Sequence, residues 1–234
     1  MTLVFGFNDG HPQFELSNWL LNIARVFVIV IIGIIIHDFG HDLIAKKNGL
    51  QSEYRLWGIK GFGNYPKTIK FFGKELTIQQ FPLGILIAVG LTLFSNGKLF
   101  WAAVSSYGLV IEKSTRLGKK FVDVTDFEEA KIALAGPLAV TFLMLIFKLF
   151  NGSGIFDQVI TIYSWMAIFD ILPLPGLDGS KVFFGSVPLY IFSASFIISS
   201  VVLAHLLGAL PALIFSALAA LTFLAVYAYY FIYK

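Results

Sequence analysis

The pentapeptide His37-Asp38-Phe39-Gly40-His41 closes an uncharged run, Val26 to Ile36, rich in Ile and Val. Two histidines four apart on a helix share a face, one turn above the other. Such a pair can hold one zinc ion, and the residue after the first histidine can reach a water on that metal. Ionisable groups that deep in an apolar segment are costly and point to function. The pattern therefore predicts metal chemistry within a membrane.

A catalytic zinc takes three protein donors and leaves one position open. The remaining histidines are poor sources of the third. His11 sits in a turn-rich stretch and is expected to be solvated. His205, in a late apolar run, reads as a helix–helix hydrogen bond. Asp178 is the better candidate, one of three acidic residues after residue 130, with Asp157 and Asp170. Pro173, Pro175 and Gly179 frame it and break a helix there, so that backbone carbonyls can face a wet cavity. Asp42 reads as a solvated charge at the end of the first helix.

Composition sets the environment. The chain has 234 residues, 57% of them hydrophobic and only 13% charged; a soluble domain carries about 25% charged residues. With a mean hydropathy of +0.81, the expected fold class is an all-α polytopic membrane protein. Cysteine is absent, which excludes disulfides, thiolate zinc sites, iron–sulfur clusters and cysteine nucleophiles. Four histidines are too few for the histidine boxes of a diiron desaturase. A net charge of +3 gives no reason to expect a nucleic-acid partner.

The apolar runs predict six to seven membrane helices around the zinc site. The first spans Trp19 to Ala45 and stops at Lys46-Lys47-Asn48-Gly49. The 50–78 loop is expected to carry a small surface β-hairpin that turns near Gly73. Two shorter apolar pieces follow, Phe81–Phe94 and Leu99–Ile111, each marginal as a span. A charged loop, 112–130, precedes spans at Lys131–Phe150, Ile155–Leu172, Pro188–Leu207 and Pro211–Tyr233. The expectation is one membrane-embedded domain, 1–234, with no separate soluble module and no cleavable signal peptide. Lysine and arginine crowd the 46–77 and 112–120 loops, so the N-terminus is expected outside and the 37–41 and 178 motifs toward the cytosolic side.

Three stretches in order, His37-Asp38-Phe39-Gly40-His41, Ala135-Gly136-Pro137-Leu138 and Asp170-Ile171-Leu172-Pro173-Leu174-Pro175-Gly176-Leu177-Asp178-Gly179, resemble the signatures of the site-2 protease family. These are intramembrane zinc metalloproteases, with the pattern H-E-x-x-H, then A-G-P with an Asn soon after, then N-x-x-P-x-x-x-L-D-G. The motifs span residues 37–179. The resemblance implies one zinc ion held by His37, His41 and Asp178, with Asp38 as the general base. It also implies substrate or oxyanion contacts at Asp170, Gly136 and Pro137, and a transmembrane protein substrate cut within a lipid bilayer. The implied location is an integral protein of a prokaryotic cell membrane.

Three positions depart from that pattern. Asp38 replaces Glu and is one methylene shorter. Asp170 replaces an Asn, and an ionised carboxylate cannot donate a hydrogen bond. Val140 stands where an Asn is expected. These departures keep a second function in view, a protease-shaped protein that binds membrane helices without cutting them. A membrane metal transporter is a third, weakened by the lack of an internal repeat and the scarcity of acidic residues.

Overall fold

The structure is a computed structural model that describes residues 1–10, 13–58, 67–71, 74–78, 81–111, 113–114, 118–119 and 124–231. His11 and Gly73 lie outside the described residues. In chain order the elements are α1 (Thr2–Gly6), α2 (Leu16–Lys47), β1 (Leu50–Leu56), β2 (Lys67–Phe71), β3 (Lys74–Ile78), α3 (Leu83–Phe94), β4 (Ser105–Ile111), β5 (Lys113–Ser114), β6 (Gly118–Lys119), α4 (Asp126–Leu149), α5 (Asp157–Asp170), α6 (Asp178–Gly185), α7 (Val187–Leu206) and α8 (Ala209–Phe231).

Among the described residues, four helices are long and apolar enough to cross a membrane: α2, α4, α7 and α8. Their lipid-compatible surface is visible in the exposed Phe27, Val28, Ile31 and Ile35 of α2 and the exposed Ile214, Phe215 and Leu218 of α8. The protein is thus a mostly helical integral membrane protein. The expected spans at 81–94 and 155–172 are helices of 12 and 14 residues, about 18 and 21 Å at the helical rise, short of a bilayer core of about 30 Å.

The Leu99–Ile111 piece departs further from the helical expectation. Residues 101–104 are irregular and lead into β4, which pairs with β1 in a two-stranded sheet. Tyr107, Val110 and Ile111 suit a pleated strand as well as an apolar helix, and short apolar runs do not distinguish the two. The 50–78 hairpin is present: β2 and β3 pair antiparallel, Lys67 opposite Ile78 and Phe71 opposite Lys74.

The chain divides into two compact units, residues 1–27 with 54–106 and residues 28–53 with 107–234. In the first, Val4, Ala88 and Val104 form a small core flanked by Ile85, Phe100 and Trp101. Trp19 Nε1 donates to Phe7 O at 2.9 Å, and Asn22 Nδ2 donates to Gly6 O at 3.0 Å.

The second unit holds all the candidate site residues. α4 packs against α5 and α6, and α7 lies along α8. Ile132, Met144, Ile160, Tyr163 and Ile197 are fully enclosed. The Tyr163 hydroxyl donates to Ile29 O at 3.1 Å, tying α5 to α2. α4 begins five residues before the apolar run, because Thr125 and Glu128 form a reciprocal capping box that satisfies orphan N–H groups of the first turn.

Candidate metal centre

α2 presents His37 and His41 on its buried face, at 5% and 1% exposure. Gly40 lets that face approach α4, since a Cβ there would lie 2.6 Å from Ala135 O. Asp178 comes from the opposite direction. After α5 the chain runs irregularly through Leu172-Pro173-Leu174-Pro175 and restarts at α6, whose first residue is Asp178. Gly179 seats this restart, because any Cβ would collide with Ile171 O.

The donor atoms converge. His41 Nε2 lies 3.1 Å from Asp178 Oδ2, and His37 Nε2 lies 3.2 Å from the same oxygen. These three residues each offer an atom within 4.8 Å of the others. Two donors on a tetrahedral zinc with bonds of about 2.0–2.1 Å are about 3.3 Å apart, so the observed spacings match ligand edges.

Protonation supports the same conclusion. The His41 Nδ1–H donates to Ile132 O at 2.7 Å, which leaves the Nε2 of a neutral ring as a bare lone pair. That lone pair faces a carboxylate oxygen. His37 Nε2, Asp170 Oδ2 and Asp178 Oδ1 are buried without a hydrogen-bond partner. A cation among these buried acceptors would satisfy them together, as burial of polar atoms otherwise requires a partner. Gly136 provides the room: a Cβ there would fall on His41 Nε2 and lie 2.8 Å from His37 Nε2. The residues present therefore fit a metal ion.

Asp170, the last residue of α5, is 2% exposed. Its Oδ2 lies 3.1 Å from His37 Nε2, beside the donor triad rather than within it. Pro137 is buried in α4 one residue after Gly136 and withdraws one N–H from the helix ladder there. Val140 is fully buried, and the Thr141 hydroxyl donates back to Pro137 O at 2.8 Å.

Asp38 is half-buried and lines a cavity of about 420 Å³ with Ile35, Phe39, Asp42, Lys46, Gln51 and Ser52. None of the three donors lines that cavity. Asp42 pairs with Lys46 one turn along the helix. His205 lies outside the donor group and contacts Ser164 Oγ across helices at 3.4 Å.

Two groups at the site carry no sequence signal of their own. The Ile132 carbonyl is a backbone atom, which no residue type advertises. Tyr107 lies in a run read as a marginal membrane span, and its ring stacks on His41 with centroids 4.3 Å apart. Burial pushes its hydroxyl well above the ordinary tyrosine value, and the carboxylates of Asp178 and Glu129 add to the shift.

This chain is 30% identical over 190 residues to the Methanocaldococcus jannaschii protein named "Putative zinc metalloprotease MJ0611", covering 77% of this chain and 78% of that one. The chain belongs to the zinc metalloprotease family. Neither a protein-family model nor a solved structure matches it. The family and the two-imidazole, one-carboxylate donor set together support one zinc ion as the cofactor of this metalloprotease. The four membrane-capable helices among its described residues make it a membrane metalloprotease.

Proposed function

We propose that the protein is an intramembrane zinc endopeptidase that cuts a transmembrane segment of a substrate protein. One observation carries the reading: a buried His37/His41/Asp178 donor cluster stands on and beside an apolar, membrane-capable helix. A zinc protease whose donors sit there meets its peptide bond within the bilayer. The resemblance of the three motifs to site-2 proteases supports the same class.

When bound, the ion supplies Lewis acidity at the scissile carbonyl. The remaining roles fall to the chain. His37, His41 and Asp178 hold the ion. Asp38 takes a proton from the attacking water and returns it to the leaving amine. Gly136 and Pro137 keep the α4 side of the site open to the substrate backbone, and Asp170 borders it beside His37. The lysine-rich loops support an outside N-terminus and an active site toward the cytosol in a prokaryotic cell membrane.

A second reading has its own observation. Asp38 lines a cavity that the metal donors do not share, and it is one methylene shorter than glutamate. A protein so arranged would bind a client helix without cutting it. The deciding experiment reconstitutes the parent chain in lipid with a panel of single-span substrates and measures zinc by elemental analysis. Near one zinc per chain, with cleavage inside the span that His37→Ala abolishes, supports the endopeptidase. One zinc with helix binding and no cleavage supports the second reading, and a chain that takes up no zinc rejects the endopeptidase and leaves helix binding as the reading to pursue.

A further inference from the structure

Tyr107 of β4 touches each helix that shapes the metal position. Its ring is 4% exposed and stacks on the His41 imidazole of α2, with 25° between the planes. Its hydroxyl donates to Glu129 O of α4 at 3.2 Å. The Lys181 ammonium of α6 lies 3.4 Å from the ring centroid and donates to the Tyr107 carbonyl at 2.8 Å. Lys181 stands three residues after Asp178, about one turn along the same helix.

We propose that Tyr107, fixed in place by Lys181, is the positioning residue for the metal ligand His41. The inference rests on the metal-site reading above. The hydrogen bond from Nδ1 to Ile132 O anchors one atom of the imidazole, and the ring can still rock about that atom. The flat face of Tyr107 sets the plane, so Nε2 points where His37 Nε2 and Asp178 Oδ2 converge. Lys181 holds the tyrosine in turn, through its carbonyl and through attraction of the ammonium to the ring. Glu129 Oε1, 3.7 Å from Lys181 Nζ, keeps that ammonium over the ring. Tyr107 thereby couples the helix carrying two donors to the helix carrying the third. Partners that orient a metal-bound histidine are worth about 10–100-fold in metal affinity.

The test loads the full chain in detergent with cobalt(II), reads the visible ligand-field band, and measures affinity by chelator competition. Tyr107→Leu removes the flat ring and is expected to weaken binding about 10–100-fold and shift the band. Tyr107→Phe keeps the ring and stays near the parent. Lys181→Met moves both readouts in the direction of Tyr107→Leu, and Lys181→Arg restores them. A parental band and affinity in Tyr107→Leu overturn the proposal, as does a Tyr107→Phe defect equal to that of Tyr107→Leu. Should Tyr107→Leu fail to fold, Lys181→Met decides, and an unmoved band there overturns the proposal. A parent that binds neither cobalt nor zinc fails the metal-site reading itself; a parent that binds with unmoved variants fails this inference alone.

Discussion

Asp170 Oδ2 lies 3.1 Å from His37 Nε2, the same spacing that separates Asp178 Oδ2 from His41 Nε2. The two carboxylates nevertheless differ in place. Asp178 Oδ2 is shared between both imidazoles, whereas Asp170 meets the cluster at one edge. On the proposed ligand set, removing Asp178 would take away one of three donors, and removing the charge of Asp170 would take away none. Elemental analysis should therefore find near one zinc per chain in the parent and in Asp170→Asn, and little in Asp178→Ala. Equal losses in both variants would place Asp170 among the donors.

Gly136 faces the two imidazoles so closely that a methyl group would occupy the space between them. Gly136→Ala is expected to abolish zinc binding, because the methyl group collides with both buried imidazoles and pushes the donor atoms out of place. Gly90 offers a matched control on α3, where a Cβ meets nothing within 4 Å. Gly90→Ala should keep its zinc and gain roughly 0.5–1 kcal/mol of helix stability. Zinc content and thermal unfolding of both variants read this directly.

Stripping the metal would remove the cation that the buried imidazoles and carboxylate share. A chelator should lower the melting temperature. With free zinc at about 100 times Kd the ion contributes about 2.7 kcal/mol, roughly 5–10 °C for a chain of this size. The shift should vanish in Asp178→Ala, which starts without the ion. A chelator that moves both proteins equally is acting elsewhere.

The convergence of the candidate donors was more legible in the sequence than the fold around them. His37 and His41 declare themselves because helical periodicity puts them on one face, and Asp178 because acidic residues are scarce in its half of the chain. The frame of Pro173 and Pro175 marked the break from which α6 restarts. Two glycines set the spacing of the donors: Gly179 belongs to the frame legible in sequence and meets Ile171 eight residues back, whereas Gly40 meets Ala135 of α4, a distant neighbour that leaves no local trace. Helix number was less legible, since hydropathy records burial and does not separate a membrane span from a short helix or an enclosed strand. β4 shows the difficulty: its apolar residues take strand geometry through pairing with β1, a long-range partner. Thr125 and Glu128 are the opposite case, since their spacing alone signals the capping box that starts α4.

Asp38 decides between turnover and binding. It follows His37 in the helix but opens onto the cavity shared with Asp42 and Lys46. A base displaced by about 1 Å can lose roughly 100-fold in rate, and one added methylene extends the carboxylate by about that distance. Asp38→Glu is therefore expected to raise cleavage of a reconstituted single-span substrate by up to about 100-fold, with zinc content unchanged. Asp38→Asn should keep the zinc and lose cleavage. This pairing separates base from ligand, because a ligand change would move zinc and rate together. If neither the parent nor Asp38→Glu cuts a helix that both bind, Asp38 is not a base and the protein holds membrane helices without cutting them.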